Sequence, residues 1–218
     1  MNAFIRQLAY VFPRLLPGLW TALELAAIAI AVSAVAGLAL ALLRNSRWAW
    51  IRWLVAVYVE ILRDTPLLVQ MFFIFFGLPL LGVKLSPFQA AAISLATQHS
   101  AFFAEVYRGG FQTVSRRHRE AAKALGLGYW KTLRLVTLPL ALVRVLPSVA
   151  NELVQIVKDT SVASTIAVTE LTLQARTLAE QTAATSLAFA AVAIYYLVIT
   201  GVITIGMRAL EQRLRFAE

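Results

Sequence analysis

Most of this chain consists of long apolar runs that are separated by short polar or basic segments. A helix of about 20 apolar residues is long enough to cross the hydrocarbon core of a bilayer. The runs are continuous rather than alternating, which argues against a transmembrane β-barrel. The pattern therefore predicts an all-α polytopic membrane protein with five transmembrane helices, at about residues 20–43, 54–81, 86–107, 140–158 and 186–207.

Prolines and capping residues are predicted to shape the ends of these helices. Pro13 and Pro17 precede the first span and are expected to prevent a long regular helix there. Ser86, Pro87 and Gln89 form the pattern of a helix start, with a serine N-cap, proline at the first helical position and glutamine completing a capping box. The third span is therefore expected to begin directly after Ser86.

The entrance of the second span carries three charged side chains, Glu60, Arg63 and Asp64, directly before Thr65 and Pro66. Their spacings of three and four residues allow ion pairs on one helix face. One interpretation places these charges at the cytoplasmic interface of the membrane, where they are tolerated. The other interpretation gives Arg63, Thr65 and Pro66 a direct role in a translocation path.

Polar residues also lie inside the third span. Thr97, Gln98, His99 and Ser100 are too polar to face lipid, so we expect them to face other helices. Two interpretations of His99 stay open, because a buried histidine is either a satisfied packing residue or a substrate ligand.

The fourth span holds Asn151, Glu152, Lys158 and Asp159, which are costly in an apolar helix unless they face a cavity or a partner. Residues 160–185 are rich in Thr, Ser, Ala and Gln, and are too polar for a full span. We predict that they form an irregular or short-helical region at the outer half of the membrane.

A basic segment, residues 108–139, separates the third span from the fourth and contains a candidate amphipathic helix. Positive charge is retained on the cytoplasmic side, so this segment is predicted to be a cytoplasmic loop. The same rule places the N-terminus outside and the C-terminus inside. In this topology most Lys and Arg residues lie on the cytoplasmic side, and those that do not are Arg6, Arg14, Lys84, Lys158 and Arg176. This asymmetry explains the net charge of +9 without a nucleic-acid partner.

The composition of the chain excludes several kinds of functional site. The chain is 60% hydrophobic and 14% charged, unlike a soluble domain. It has no cysteine, and its two histidines lie on separate elements, so neither a disulfide nor a metal cluster is expected. A glycine-rich phosphate-binding loop is also absent from the sequence, so another chain must hydrolyse any ATP. We expect one transmembrane domain, residues 1–218, without a cofactor.

Within the basic segment, Glu120-Ala121-Ala122 is followed by Gly126 and then by Leu138-Pro139. This unit resembles the EAA loop of ATP-binding cassette importer permeases, in which glycine stands six residues after glutamate and Leu-Pro closes the motif. The spacing makes the match more specific than an alanine-rich helix alone.

Three further segments are similar to the polar amino-acid permeases of the histidine, glutamine and arginine type: RDTPLLVQ at 63–70, AEVYRGG at 104–110 and NELVQIVKDTSVAS at 151–164. The resemblance covers essentially the whole chain. Two features depart from the family's pattern, namely Asp64, where glycine is usual, and Gln98-His99-Ser100 in the third span. Because of these two departures, the resemblance does not identify the exact substrate.

The resemblance implies that the EAA region forms a coupling helix that docks onto a cytoplasmic ATPase subunit. The residues that would carry this role are Arg119, Glu120, Ala121, Ala122, Gly126 and Pro139. It also implies a second permease chain, in a homodimer or a heterodimer, and an extracytoplasmic solute-binding protein. The expected location is the bacterial cytoplasmic (inner) membrane, in contact with membrane lipid.

An amino-acid substrate is zwitterionic, so its path needs an anion for the ammonium group and donors for the carboxylate. We expect Glu152 to meet the ammonium group or a cationic side chain, and hydroxyl groups with Lys158 to meet the carboxylate. The candidate path residues are Asn151, Glu152, Lys158, Asp159, Thr160 and Ser161, with Arg63, Thr65 and Pro66. Alternatively, the fourth-span residues stabilise a bent helix through internal pairs.

The main prediction is a permease subunit, not itself an enzyme, that imports a polar or charged amino acid. A near alternative is an amino-acid-derived solute such as an opine, or a sulfur amino acid. A membrane enzyme using Glu152 and Asp159 as acid and base would lack a nucleophile and a metal cluster. A non-transport assembly protein with a lipid-binding loop would not require the EAA spacing.

Overall fold

The computed structural model describes residues 2–182 and 184–215, and the side chains of residues 9–115, 117–118, 120–182 and 184–214. Helices make up almost all of this part of the chain, and no β-strand occurs in it. The prediction of an all-helical protein is therefore confirmed.

The α-helices of the described residues follow one another along the chain with short connections. They are α1 (Asn2–Leu43), α2 (Ala49–Asp64), α3 (Leu67–Phe72), α4 (Pro87–Thr113), α5 (Arg116–Ala124), α6 (Tyr129–Thr132), α7 (Leu138–Asp159), α8 (Leu171–Thr182) and α9 (Thr185–Arg215). Two π-helical turns continue α3 and α6, at Phe73–Gly77 and Leu133–Thr137. Two 3₁₀ segments lie at Leu78–Leu81 and Thr160–Ile166.

Three helical stretches of the described chain are long and apolar enough to cross a bilayer: Ala9–Leu43, Tyr129–Ile166 and Thr185–Leu214. The number rises to four if Ala49–Asp64 and Leu67–Leu81, which meet at an angle of 104°, form one broken span. α4 has 27 residues but is more polar than these stretches. The five-span count and the orientation therefore stay a prediction.

The first span differs from the sequence prediction at its N-terminal end. Pro13 and Pro17 lie inside α1, which is continuous, so the expectation that they prevent a long helix is wrong. Val11 and Leu15 on the same stretch are buried in an apolar cluster with α8 and α9. Packing against neighbouring helices thus overrides the local effect of proline, as is common in membrane helices.

The second predicted span, residues 54–81, is two helices rather than one. The break falls at Thr65 and Pro66, which have extended backbones with ψ of 130° and 137°. A residue before proline disfavours the helical conformation, which explains the position of the break. The side-chain amide of Gln70 donates to the carbonyls of Leu62 and Thr65, at 2.8 and 2.9 Å, and so satisfies acceptors that the break leaves free.

The start of α4 agrees with the predicted capping box. The backbone N–H of Gln89 donates to Ser86 Oγ at 3.2 Å, and the backbone N–H of Ser86 donates to Gln89 Oε1 at 2.9 Å. Pro87 is the first residue of the helix. This local pattern fixes where α4 begins, and hence which of its side chains face the other helices.

The main core lies where α1, α3, α4 and α7 meet. Its largest fully buried side chains are Leu25, Met71, Leu95, Phe103 and Ile156. α1 and α4 approach closely at Gly37, where an added Cβ would lie 2.4 Å from the Cβ of Phe103 and 3.0 Å from the backbone of Ser100 and Ala104. Glycine at this position sets the spacing of the two helices.

Substitution of Gly37 by alanine tests this close approach. The new methyl group meets a Cβ and backbone atoms that cannot move independently, so we expect the free energy of unfolding to fall by about 1–3 kcal/mol. Gly201→Ala is the matched control, because a Cβ there meets no atom of the described residues within 4 Å. Unfolding by detergent titration measures both variants, and equal stability of Gly37→Ala and the unmodified protein would contradict the packing described.

Candidate functional site

A buried histidine lies between two carboxylates where α4 packs against α7. His99 Nδ1 is 2.6 Å from Glu152 Oε1, and His99 Nε2 is 3.3 Å from Asp159 Oδ2. The two acids stand seven residues apart, which is about two turns of α7 and places them on one helix face. We call these three residues the histidine–acid centre.

The members of this centre differ in exposure. The side chain of His99 is 1% exposed, whereas those of Glu152 and Asp159 are 12% and 24% exposed. The histidine therefore lies behind the acids, which retain access to the outside of the helix pair. Gln155 Nε2 donates to Asp159 Oδ1 at 3.0 Å and so orients that carboxylate from the same helix.

Hydrogen bonding at the centre is incomplete within the described part of the chain. His99 Nε2 has the distance to Asp159 but not the direction of a hydrogen bond, and it has no other partner there. The Oε1 atom of the neighbouring Gln98 is also buried without a partner among the described residues. Buried unsatisfied polar atoms are rare in folded proteins, so these two atoms are exceptions within the described part of α4.

The remaining fourth-span candidates are not part of the centre. Asn151 and Lys158 are exposed. The hydroxyl of Thr160 donates to Val157 O at 2.7 Å, and that of Ser161 donates to Lys158 O at 2.7 Å. The structure therefore brings Glu152 and Asp159 together, whereas the two hydroxyl groups bond to the backbone of their own helix.

The charged residues at the end of α2 do not pair with one another. No ion pair joins Glu60, Arg63 and Asp64 among the described side chains, and all three are exposed. The ion pairs that their spacing allows therefore do not form there. The Arg63 guanidinium instead lies 5.5 Å from the ring centroid of Phe102, and Thr65 Oγ1 donates to the carbonyl of Ile61 at 2.7 Å.

A second charged cluster joins the end of α1 to α4. Arg44 Nη1 donates to Glu105 Oε1 at 2.6 Å, and Arg108 donates to Glu105 Oε2 through Nε at 2.8 Å and Nη2 at 2.6 Å. The carboxylate of Glu105 is 18% exposed and is held by two arginines. Sequence reasoning missed this cluster, although the spacing of Glu105 and Arg108 by three residues was a usable signal.

A cavity of about 860 Å³ opens beside this cluster, next to the predicted coupling segment. Its wall combines polar side chains of α4 and α5 with residues of α6 and the following turn. The lining residues are Asn45, Arg108, Phe111, Gln112, Glu120, Lys123, Leu127, Tyr129, Thr132, Leu133 and Thr137.

The predicted coupling segment is a short helix with a defined end. Gly126 has φ of +74°, a left-handed conformation that favours glycine. Its N–H donates to the carbonyl of Lys123 at 2.9 Å, and the N–H of Leu127 donates to the carbonyl of Ala122 at 3.0 Å. These two bonds are those of a Schellman motif, which ends α5 and turns the chain sharply.

The side chains around α5 divide into buried and exposed sets. Ala122 is buried, whereas Glu120, Ala121 and Pro139 are exposed. The side chain of Arg119 lies outside the described residues. Three large apolar side chains beside α5 face outward: Leu125, Tyr129 and Trp130, which are 80%, 65% and 70% exposed. An exposed apolar group of this kind is typical of a surface that another protein covers.

Glu170 is a buried acid that sequence reasoning missed. It is fully buried and accepts hydrogen bonds from the backbone N–H groups of Thr172 and Leu173 and from the hydroxyl of Tyr196. Burial raises the pKa of Glu170 above its ordinary value, while the hydrogen bonds that it accepts act in the opposite direction. The sequence feature that could have identified Glu170 is its position directly before α8, since acidic residues cap helix N-termini.

Residues 29–216 match the family described as binding-protein-dependent transport system inner membrane component. The chain belongs to this family, and the resemblance expected from its sequence is confirmed.

Two individual relatives of the chain have names that refer to amino-acid transport. The chain is 39% identical to the probable amino-acid ABC transporter permease protein y4tG of Sinorhizobium fredii, over 94% of this chain and 88% of that protein. It is 37% identical to the glutamine transport system permease protein GlnP of Escherichia coli K12, over 93% and 94% of the two chains.

Among solved structures, the chain resembles a crystal structure of an amino acid ABC transporter with histidines. The TM-score is 0.89 at 31% sequence identity, and the match covers 96% of this chain and 98% of the other. The fold described above is therefore the fold of that transporter chain.

The charged cluster at Glu105 yields a stability prediction. Glu105→Gln leaves Arg44 and Arg108 without their shared carboxylate, so we expect the free energy of unfolding to fall by about 1–3 kcal/mol. In Glu180→Gln, the matched control, the lost partner is Arg176 in an ion pair that is 65–70% exposed, and we expect a change of about 0–1 kcal/mol. Equal losses in the two variants, measured by unfolding in detergent, would show that the Glu105 cluster contributes nothing beyond a surface pair.

Proposed function

We propose that this chain is the permease subunit of an importer for a polar amino acid, and that a partner ATPase hydrolyses the ATP. The observation that carries the proposal is a pair of carboxylates, Glu152 and Asp159, that face His99 of α4 from one face of α7. An amino acid brings an ammonium group to any path, and these acids are the groups that would receive it. The names of the relatives, one of them a glutamine permease, support this substrate class.

The coupling proposal rests on α5 and the apolar side chains beside it. Ala122 is buried and holds the helix against the rest of the chain, while Leu125 and Trp130 face outward. We infer that these apolar groups and the exposed Glu120 dock onto the ATPase, with Arg119 and Ala121 beside them. Pro139 stands near the start of α7 and Gly126 ends α5, so both belong to the connection rather than to the docking face.

One continuous helical stretch links this docking face to the acids. Tyr129–Ile166 begins just after α5 and includes both Glu152 and Asp159. A displacement of α5 by the closing ATPase would therefore move the carboxylates relative to α4. Transport would follow from two arrangements of the same helices, of which ATP favours one.

The proposed mechanism requires further subunits besides the ATPase. A path between helices of one small chain would have little wall, so we propose that a second permease chain, identical or similar, closes it. A solute-binding protein would deliver the amino acid from outside. The site residues Asn151, Lys158, Thr160, Ser161, Arg63, Thr65 and Pro66 remain candidates for the path, although among the described side chains none of them forms a hydrogen bond or an ion pair with the histidine–acid centre.

The test is ATP-dependent uptake of labelled amino acids into proteoliposomes that contain the permease, its ATPase and its binding protein. We expect uptake of a polar amino acid, and we expect Glu120→Lys to lower it at least about tenfold, because reversing a charge at a docking face costs more than 1.4 kcal/mol. Glu180→Lys is the control, since Glu180 is an exposed acid on α8.

The outcomes separate the two parts of the proposal. Uptake that Glu120→Lys abolishes, in a complex that still assembles, supports both transport and coupling. Unchanged uptake in Glu120→Lys would exclude the coupling role of α5. An assembled complex that transports no amino acid would overturn the substrate class and favour an amino-acid-derived solute.

A further inference from the structure

The position of His99 bears on which amino acids the proposed path accepts. A neutral imidazole carries one N–H, so it can donate to one carboxylate while its other nitrogen presents a lone pair. In this structure Nδ1 is hydrogen-bonded to Glu152 at 2.6 Å, and Nε2 lies 3.3 Å from Asp159 Oδ2 without the direction of a hydrogen bond. An imidazolium, with a proton on each nitrogen, is the form that both contacts favour.

We propose that His99 is a resident cation of the substrate site, which takes the place that a cationic side chain would occupy between Glu152 and Asp159. The permease would therefore select amino acids with uncharged polar side chains over arginine and lysine. This inference rests on the proposed function and specifies its substrate class.

Charge balance supports this selectivity. Two carboxylates at a helix interface need a cation, because an unpaired buried charge is costly. His99 supplies that cation from within the chain and leaves the centre with one net negative charge. That charge matches the ammonium group of an amino acid, whereas an additional cationic side chain would face an imidazolium.

The residues around His99 also disfavour a cationic side chain of the substrate. The ring of Phe102 lies 6.1 Å from that of His99, and the Arg63 guanidinium lies over the same phenyl ring at 5.5 Å. α2 therefore contributes a further cation, the exposed Arg63, beside the ring of Phe102. The neighbouring side chain on α7, Lys158, is exposed and is a base, so it adds no acid to the centre. Within the described residues, Glu152 and Asp159 are the acids in contact with His99.

The difference in exposure makes this arrangement usable by a substrate. His99 is almost fully buried, while the two acids keep 12% and 24% of their side-chain surface. An amino acid can thus reach the outer oxygens of the carboxylates without displacing the histidine. A cationic side chain that sought the space between the acids would have to displace it.

The experiment measures binding of labelled glutamine and arginine to the purified complex of permease and ATPase in lipid nanodiscs. The binding protein is omitted, because its own selectivity would mask that of the permease. We expect the unmodified complex to prefer glutamine, and His99→Gln to raise the ratio of arginine to glutamine binding at least about tenfold. His99→Lys retains a cation and is expected to keep the preference for glutamine.

His118→Gln is the matched control, because His118 is the other histidine of the chain and lies exposed on α5. An unchanged ratio in His99→Gln, or an unmodified complex that binds arginine as well as glutamine, would overturn the inference while the proposed transport of amino acids stands. A complex that binds neither amino acid, with no uptake of any in proteoliposomes, would overturn the proposed function and this inference with it.

A second measurement does not depend on how His99 variants fold. His118→Gln leaves His99 as the single histidine of the chain, so ¹⁵N-labelled histidine in the permease reports on that ring alone. We expect nitrogen NMR of the complex at pH 7 to show both ring nitrogens protonated. A neutral ring would contradict the role of His99 as a resident cation.

Discussion

The contact between His99 on α4 and the two acids on α7 is the interaction on which this account depends. Carboxylates inside an apolar helix pair are stable only when a cation faces them, and His99 is placed to do so from the opposite helix. Its position depends in turn on the approach of α4 to α1 at Gly37, because α1 holds the other side of α4. The packing of small residues and the charges of the site are thus parts of one arrangement.

The proposed coupling to an ATPase depends on the same arrangement. The helical stretch Tyr129–Ile166 carries both acids and starts beside the exposed apolar side chains of the coupling segment. α4 is anchored separately, through Glu105 and its two arginines, to the end of α1. A force applied at α5 would therefore shift α7 against α4, and the histidine–acid centre lies at the interface that would change.

Local sequence patterns predicted one part of the fold correctly and missed another. The capping box at Ser86 predicted the start of α4. The break at Pro66 was not predicted, although the restriction that proline imposes on Thr65 explains it. The prolines of α1 misled the prediction because their effect is overridden by packing with α8 and α9, which lie far away in sequence. For the site, the polar residues of the third and fourth spans were recognised, but their partnership was not. His99 and Glu152 are 53 residues apart, and no local period links them.

The most direct test of this account is a structure of the assembled transporter with a bound neutral amino acid. The account predicts that the ammonium group lies within about 3.2 Å of a carboxylate oxygen of Glu152 or Asp159, with His99 still between the two acids. An amino acid bound away from both carboxylates, or one whose side chain has displaced His99 from them, would contradict it.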